Sequence, residues 1–498
     1  MKKITLAIIG LMLGFSCSND KEILDQVETE QLETQKLLSI KEVNRYIEGE
    51  LKRSGDVNWT KAPAVVLWSA VVHGDEILSV GYGDKGESFS EQRSPRLNSV
   101  KENIYAIVGK QEAVNRSSTV VNEDAILNVV DVKVTQLETI VALQRANDIR
   151  YLEPIGYSSY LQETPKLERS GSGCAQGGET INSADYRVIT PNSWLPWNYD
   201  IHKISQAWNY STGAGITVGL IDTGISANQP LLGSSFNDGV SNGRTVERIG
   251  TFIDSPWFWV NDTDGPNDKC GHGTSMASAI ASPRNDNFMP VGVAYNCNLV
   301  AYRGTEDVIL NDYHERKGVS NALTALGNRS TVKIISMSVG YPWSIGNVKD
   351  AVKYAYSKGK MIIAAGGTST TFTNWYGVIF PASMSETVAV TGIKDNGYKL
   401  CDICHDGNKI DFTMVMERSG GSRKNVPVIG FNNGSRSYVG GSSVATAMTA
   451  GAAALVWATN PAMTRAQVLD KLKRAGEFYP NRNGDFGYGN IDVLKAVQ

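Results

Sequence analysis

The chain has 498 residues, 41% of them hydrophobic, enough for a large core and for more than one domain. Its 48 Lys and Arg against 51 Asp and Glu leave a formal net charge of −3. No basic patch interleaved with aromatics is present, which argues against a nucleic-acid partner. The 49 Gly and 10 Trp describe a folded, loop-rich chain and suit an extracytoplasmic protein rather than a disordered one.

Residues 1–17 read as a targeting segment. Lys2 and Lys3 precede an apolar run, residues 4–15, that is too short to stay across a bilayer. The run ends in GFSC followed by SNDKE, which resembles a bacterial lipoprotein signal with Cys17 as the lipidated new N-terminus. An ordinary secretory signal with a chance cysteine is the alternative. Asp20 and Glu22 resemble the signature that sends some lipoproteins to the cell surface, so an outer-membrane or cell-surface lipoprotein is expected. Residues 18–60 are polar and charged and read as a tether with a marginal helix. Residues 61–157 read as a small α+β region. In it, VVLWSAVVHGDEILSVGYG (65–83) is taken as two strands turning at His73-Gly74-Asp75. NIYAIVGK, AILNVVDVKV, VTQLETIVALQRAND and IRYLEPIGY then read as strand, strand, helix, strand. Residues 158–199, rich in Gly and Ser around ERSGSGCAQGGETINSAD, read as a flexible linker. Residues 200–498 form the large remaining domain, in which His202 is expected to be structural.

Three stretches of that domain carry chemistry. GITVGLIDTGI (215–225) is an apolar strand closing on Asp222. CGHGTSMASAIA (270–281) opens a small-residue helix with His272 between glycines. GGSSVATAMTAGAAALV (440–456) opens a second one with Ser442 and Ser443, and such a run of small residues means that something packs very close. A serine in a helix's first turn lies beside unpaired N–H groups and the positive end of the dipole, where an oxyanion is held. A buried helix with a serine N-cap is the bland alternative for this stretch alone. Asp, His and Ser in this order, separated by 50 and 171 residues, supply an orienting carboxylate, a base and a nucleophile.

On these motifs, residues 194–497 resemble a subtilase, a subtilisin-like serine peptidase. VGVAYNCNLVAYR, IISMSVGYP, MIIAAGG, FPAS and VAVTGI fit the family's layout in order. The resemblance implies a parallel sheet with helices on both faces, endopeptidase action on proteins or peptides, and a triad of Asp222, His272 and Ser443. The register of Gly441-Ser442-Ser443-Val444-Ala445 selects Ser443 as nucleophile, with Ser442 in the place of a threonine and Ala447 in that of a proline. Ser338 and Gly340 fall where the family walls its pocket. The family's AAGN is AAGG here, so Gly367 stands where the side-chain oxyanion donor belongs. That departure suggests either a slow enzyme or a peptide-binding pseudoenzyme. It also suggests that Gly367→Asn raises turnover, unless Thr368, Ser369 or Asn374 supplies a donor. Residues 61–157 are similar to the inhibitory propeptide of subtilases, so the chain's own propeptide is an expected partner and the linker a place for self-cleavage, with release of the C-terminal domain. A small α+β domain with no inhibitory role is the alternative. No cofactor is required. Calcium is left open at Asp262, Asp264, Asp268 or Asp286, against solvated acidic turns. Of the cysteines, Cys270 is offered Cys297 as a partner without a decision. CDICH (401–405) formally matches a haem-attachment pattern, but a short disulfide loop or a weak metal site suits its place in the layout better.

Overall fold

The computed structural model describes residues 36–160, 174–255, 257, 260–368, 377–420 and 425–498. The targeting segment with Cys17, most of the tether, part of the linker, and Ser369 and Asn374 lie outside the described residues.

The N-terminal domain begins with α1 (Ile40–Ser54), started by a capping box in which the Ser39 hydroxyl and the Glu42 carboxylate satisfy each other's backbone N–H. Next come α2 (Ala64–His73), β1 (Ile77–Tyr82), α3 (Pro95–Gln111), β2 (Val120–Glu123), β3 (Val129–Lys133), α4 (Leu137–Gln144) and β4 (Ile149–Glu153). The strands form one antiparallel sheet in the order β2-β3-β1-β4. Two expected strands are helices. The first half of residues 65–83 is α2, whose apolar residues are buried on nearly every side. A short, uniformly apolar run has no period to tell helix from strand. NIYAIVGK belongs to α3, whose start is signalled by the Ser94 cap and Pro95 at its first turn. His73 is not a hairpin residue; its ring Nε2–H donates to the Leu38 carbonyl at 2.7 Å.

The stretch read as a linker is partly built. Residues 186–196 form a hairpin of β5 (Tyr186–Ile189) and β6 (Ser193–Pro196), with the Tyr186 and Trp194 rings stacked at 3.6 Å. The C-terminal domain then has the expected parallel α/β architecture. Its strands are β7 (Thr217–Asp222), β8 (Val246–Gly250), β9 (Asn298–Arg303), β10 (Val332–Met337), β11 (Met361–Ala365), β12 (Thr387–Lys394) and β13 (Ile410–Glu417). They form a seven-stranded sheet in the order β13-β12-β11-β10-β7-β9-β8, parallel throughout. Every residue of β7 is buried, as a strand covered on both faces requires. Around the sheet lie α5 (His272–Ala281), α6 (Tyr313–Asn328), α7 (Gly346–Ser357), α8 (Gly441–Thr459), α9 (Arg465–Ala475) and α10 (Val493–Val497), and the hairpin β14 (Val426–Ile429)/β15 (Arg436–Val439) leads into α8. The small residues of α8 answer a close approach, because a Cβ at Gly451 would sit 2.6 Å from the Val293 side chain. His202 is structural. It is buried between the Ile491 carbonyl and the Val415 N–H, and burial lowers its pKa to about 4.

The two domains share one core, in which α6 and α7 meet the N-terminal sheet. A buried fork ties them together. Arg150 on β4 donates to both carboxylate oxygens of Asp350 on α7, at 2.8 and 2.7 Å, and also to the Tyr82 and Asn128 carbonyls. Their side chains are 12% and 3% exposed, so removing the carboxylate strands a desolvated guanidinium. Asp350→Ala is therefore expected to cost about 3–5 kcal/mol of stability, measured by equilibrium denaturation of the full chain. A loss below about 1 kcal/mol would mean that the pair behaves like an exposed one.

Candidate active site

Asp222 ends β7, at the carboxyl edge of the sheet where parallel α/β folds place their ligands. It is fully buried, and its Oδ1 accepts from the Thr223 N–H at 2.8 Å and from His272 Nδ1 at 2.7 Å. A carboxylate only accepts, so the imidazole proton is on Nδ1 and Nε2 keeps a lone pair for a second partner. Burial alone would lower the pKa of His272, but the charge of Asp222 and its hydrogen bond outweigh it and leave the pKa raised.

The loop that presents His272 is organised by Asp268. Its Oδ1 accepts from the Cys270 and Gly271 N–H groups, both at 2.8 Å, and from the Thr223 hydroxyl at 2.9 Å. Its Oδ2 accepts from the Thr274 N–H at 3.0 Å and the Thr274 hydroxyl at 2.7 Å. Thr223 also accepts from the Gly273 N–H at 2.8 Å. The DTG and GHGT motifs are thus zipped together side by side. A Cβ at Gly273 would lie 2.2 Å from the Gly224 carbonyl, so neither strand of the zip can carry bulk there. Sequence reasoning offered Asp268 to calcium and missed this role; the signal was an aspartate a few residues ahead of a helix start, where a carboxylate satisfies unpaired N–H groups.

Ser443 lies in the first turn of α8, whose N-cap Gly440 makes no side-chain capping bond. The bland N-cap reading of these serines is therefore not what the structure shows. α8 packs against α5, bringing the two small-residue helices together. Ser442 is fully buried while Ser443 is 9% exposed. The Ser442 hydroxyl donates to the Gly367 carbonyl at 2.9 Å and accepts from the Gly367 N–H at 3.2 Å, so its proton is spent on the chain. Ser338, just past β10, donates from its hydroxyl to the Ser443 carbonyl at 3.1 Å and steadies the helix start. Gly340 spends both backbone groups on a neighbouring segment: its N–H donates to Val308 and its carbonyl accepts from Leu310. Its value to the pocket wall is steric, since a Cβ there would meet the Phe380 carbonyl at 2.6 Å.

Gly367 differs most from the sequence expectation. Its φ is +129°, and a Cβ would lie 2.4 Å from His405 Nδ1. An asparagine cannot enter without displacing that ring, so any gain in turnover from Gly367→Asn requires His405 to move. His405 belongs to the CDICH stretch, where Cys401 and Cys404 form the expected short disulfide loop. Cys270 pairs with Cys174 rather than with Cys297, which is a buried thiol whose pKa burial pushes up to about 12. This bridge fastens the segment after the N-terminal domain beside the His272 loop. That segment runs on to β15, where the Glu179 N–H donates to Arg436 at 2.7 Å and the Glu179 carboxylate accepts from the Tyr438 N–H. At the other end, Tyr160 closes the described N-terminal domain edge-to-face on Trp343, which packs on Tyr341.

The four acidic candidates for calcium do not converge. Asp262 is exposed, and Asp264 is paired with Arg303 and Lys269. Asp268 is committed as above, and the exposed Asp286 neighbours Asp238 across the domain surface. Among the described residues no three His, Cys, Asp or Glu side chains are grouped to hold a metal.

The family model of the subtilases, described as the subtilase family, matches residues 213–489, more than half of the chain. The chain belongs to the subtilase family. It is 27% identical over 325 residues to a subtilisin of Bacillus sp. (strain TA39), covering 61% of this chain and 73% of that one. It is 25% identical over 325 residues to thermitase of Thermoactinomyces vulgaris, covering 62% of this chain and 99% of that one. Among solved structures, MycP1 from Mycobacterium smegmatis aligns at 20% identity with a TM-score of 0.48, covering 67% and 94%. With residues 213–489 matching the subtilase family, the seven-stranded parallel sheet and its flanking helices are a subtilisin-like α/β fold, and the subtilisin and thermitase relatives indicate serine peptidase activity.

A histidine can take a proton only when it is neutral. Since the pKa of His272 is raised above 6.5, kcat/KM for a peptide substrate is expected to fall as pH drops through a value above 6.5. An acidic limb at or below that value would mean that burial of His272 outweighs its contact with Asp222.

Proposed function

We propose that this chain is an extracytoplasmic serine endopeptidase acting on proteins or peptides. The observation that carries the reading is the buried 2.7 Å contact of His272 Nδ1 with Asp222, together with Ser443 at the uncapped start of α8. In this reading the Ser443 Oγ–H bond breaks as oxygen attacks the substrate carbonyl carbon. The proton passes to His272 Nε2, and Asp222 stabilises the resulting imidazolium. The carbonyl π pair moves onto oxygen and returns as the amine leaves with that proton. Water then repeats the sequence on the acyl-enzyme.

The N-terminal domain acts as the enzyme's own propeptide. Its contact with α6 and α7, and Tyr160 lying against the Tyr341–Trp343 wall beside Gly340, support this role. Self-cleavage falls within residues 157–200, and Cys17 anchors the precursor to a membrane as an exported lipoprotein. A second reading, a slow or inactive peptide-binding relative, is favoured by the absent amide at Gly367.

Labelling with a fluorophosphonate separates the two. Wild type is expected to react and to convert to a shorter chain, while Ser443→Ala neither reacts nor shortens, with turnover down by about 10⁶-fold. The Cys17→Ala chain should leave the detergent phase. Labelling that survives in Ser443→Ala would refute the nucleophile, and cleavage that survives there would refute self-processing.

A further inference from the structure

An oxyanion needs at least two donors at about 3 Å, and in the proposed reaction the N–H groups at the uncapped start of α8 can supply the first. The second is missing at Gly367, whose N–H points at Ser442 and whose side-chain position is occupied by His405. Nor is His405 itself the donor. Its Nδ1–H is directed to the Gly377 carbonyl at 3.0 Å, which leaves Nε2 as an acceptor.

The next residue along is placed differently. Thr368 has its hydroxyl 3.5 Å from the Ser442 hydroxyl and 3.4 Å from where a Cβ on Gly441 would be. It therefore lies beside Gly441 and Ser442, the two residues ahead of Ser443. The Cys401–Cys404 loop fixes it there from two sides. Thr368 forms an antiparallel bridge with Cys404, and the His405 N–H donates to the Gly367 carbonyl at 3.1 Å. On the opposite wall, the Ile403 side chain comes within 3.5 Å of the same Cβ position on Gly441. The loop is itself held from beneath, because the Thr391 hydroxyl donates to the His405 carbonyl and the Cys404 sulfur packs over Gly392. The disulfide loop thus touches both Thr368 and Gly441, the glycine two residues ahead of Ser443.

We propose that the Thr368 hydroxyl replaces the missing side-chain amide as the second oxyanion donor, in a hole rebuilt around the Cys401–Cys404 loop, with His405 filling the space an asparagine would take. This rests on the peptidase reading above. The hydroxyl hydrogen-bonds the carbonyl oxygen of the scissile peptide most strongly once the π pair has moved onto that oxygen. It therefore acts on kcat more than on KM.

The test compares Thr368→Val, which keeps the branched shape and loses the hydroxyl, with Thr368→Ser, which keeps it, in the full chain after confirming equal thermal unfolding. Thr368→Val should lower kcat by about 100-fold with KM within about threefold, and Thr368→Ser should stay within about threefold of wild type. Affinity for a peptide boronate, which resembles the tetrahedral state, should fall in parallel for the valine variant, while that for a reduced-amide peptide stays constant. A role in folding alone would move neither ratio. Turnover and boronate affinity of Thr368→Val matching wild type would overturn this inference and leave the peptidase standing. Absence of Ser443-dependent turnover in wild type would overturn both. Should Thr368→Val fail to fold, a Thr368→Ala chain with the same boronate comparison decides the question.

Discussion

A buried carboxylate cannot turn to water, and what the chain offers Asp222 shapes the site: Oδ1 is doubly satisfied, while the buried Oδ2 has no hydrogen-bond partner among the described residues. Its Oδ1 takes the Thr223 N–H and the His272 ring together, which fixes the imidazole's tautomer and its direction. Two such acids lie close together here, and Asp268 would be costly in isolation, since burial alone raises its pKa. It is supplied with three backbone N–H groups and two hydroxyls, all from the two motif loops. The result is a rigid link between the end of a central strand and the start of α5, so the His272 imidazole is placed before any substrate arrives.

The third element reaches this link through packing rather than polarity. α8 is almost wholly buried and built mostly from Ala, Gly, Ser and Thr, which lets it lie against α5 and under the sheet at short range. Bulk at Gly451 would strike Val293 and push the helix away from the base. Its two serines divide the work by position: one is tied to Gly367 on both of that residue's backbone groups, while the other is left at the helix start with its carbonyl braced by Ser338.

The three motif stretches were legible in the sequence because each position in them is under tight local constraint. The aspartate must end a buried strand, glycines must flank the histidine where backbones touch, and the serine must open a small-residue helix. The N-terminal segments were less legible. Residues 64–73 are apolar on every side, and only their packing between sheet and helices decides that they coil. Cys270 found Cys174 because the fold carries the chain after the N-terminal domain back past the His272 loop, which no spacing discloses. Gly367 could be read only as an absence. What fills its space is a histidine distant in sequence, carried there by the Cys401–Cys404 turn.

Asp222 and His272 are joined before substrate binds, and the proposed reaction requires Ser443 at the start of α8 to complete them, with an oxyanion hole unlike the family's usual one. A crystal structure of the full chain inactivated by a peptidyl phosphonate would test it most directly. Phosphorus is expected on Ser443 Oγ, its charged oxygen at about 3 Å from the Ser443 N–H and the Thr368 hydroxyl, and His272 still on Asp222. Phosphorus on any other residue, or an oxygen turned to solvent with Thr368 directed elsewhere, would contradict it.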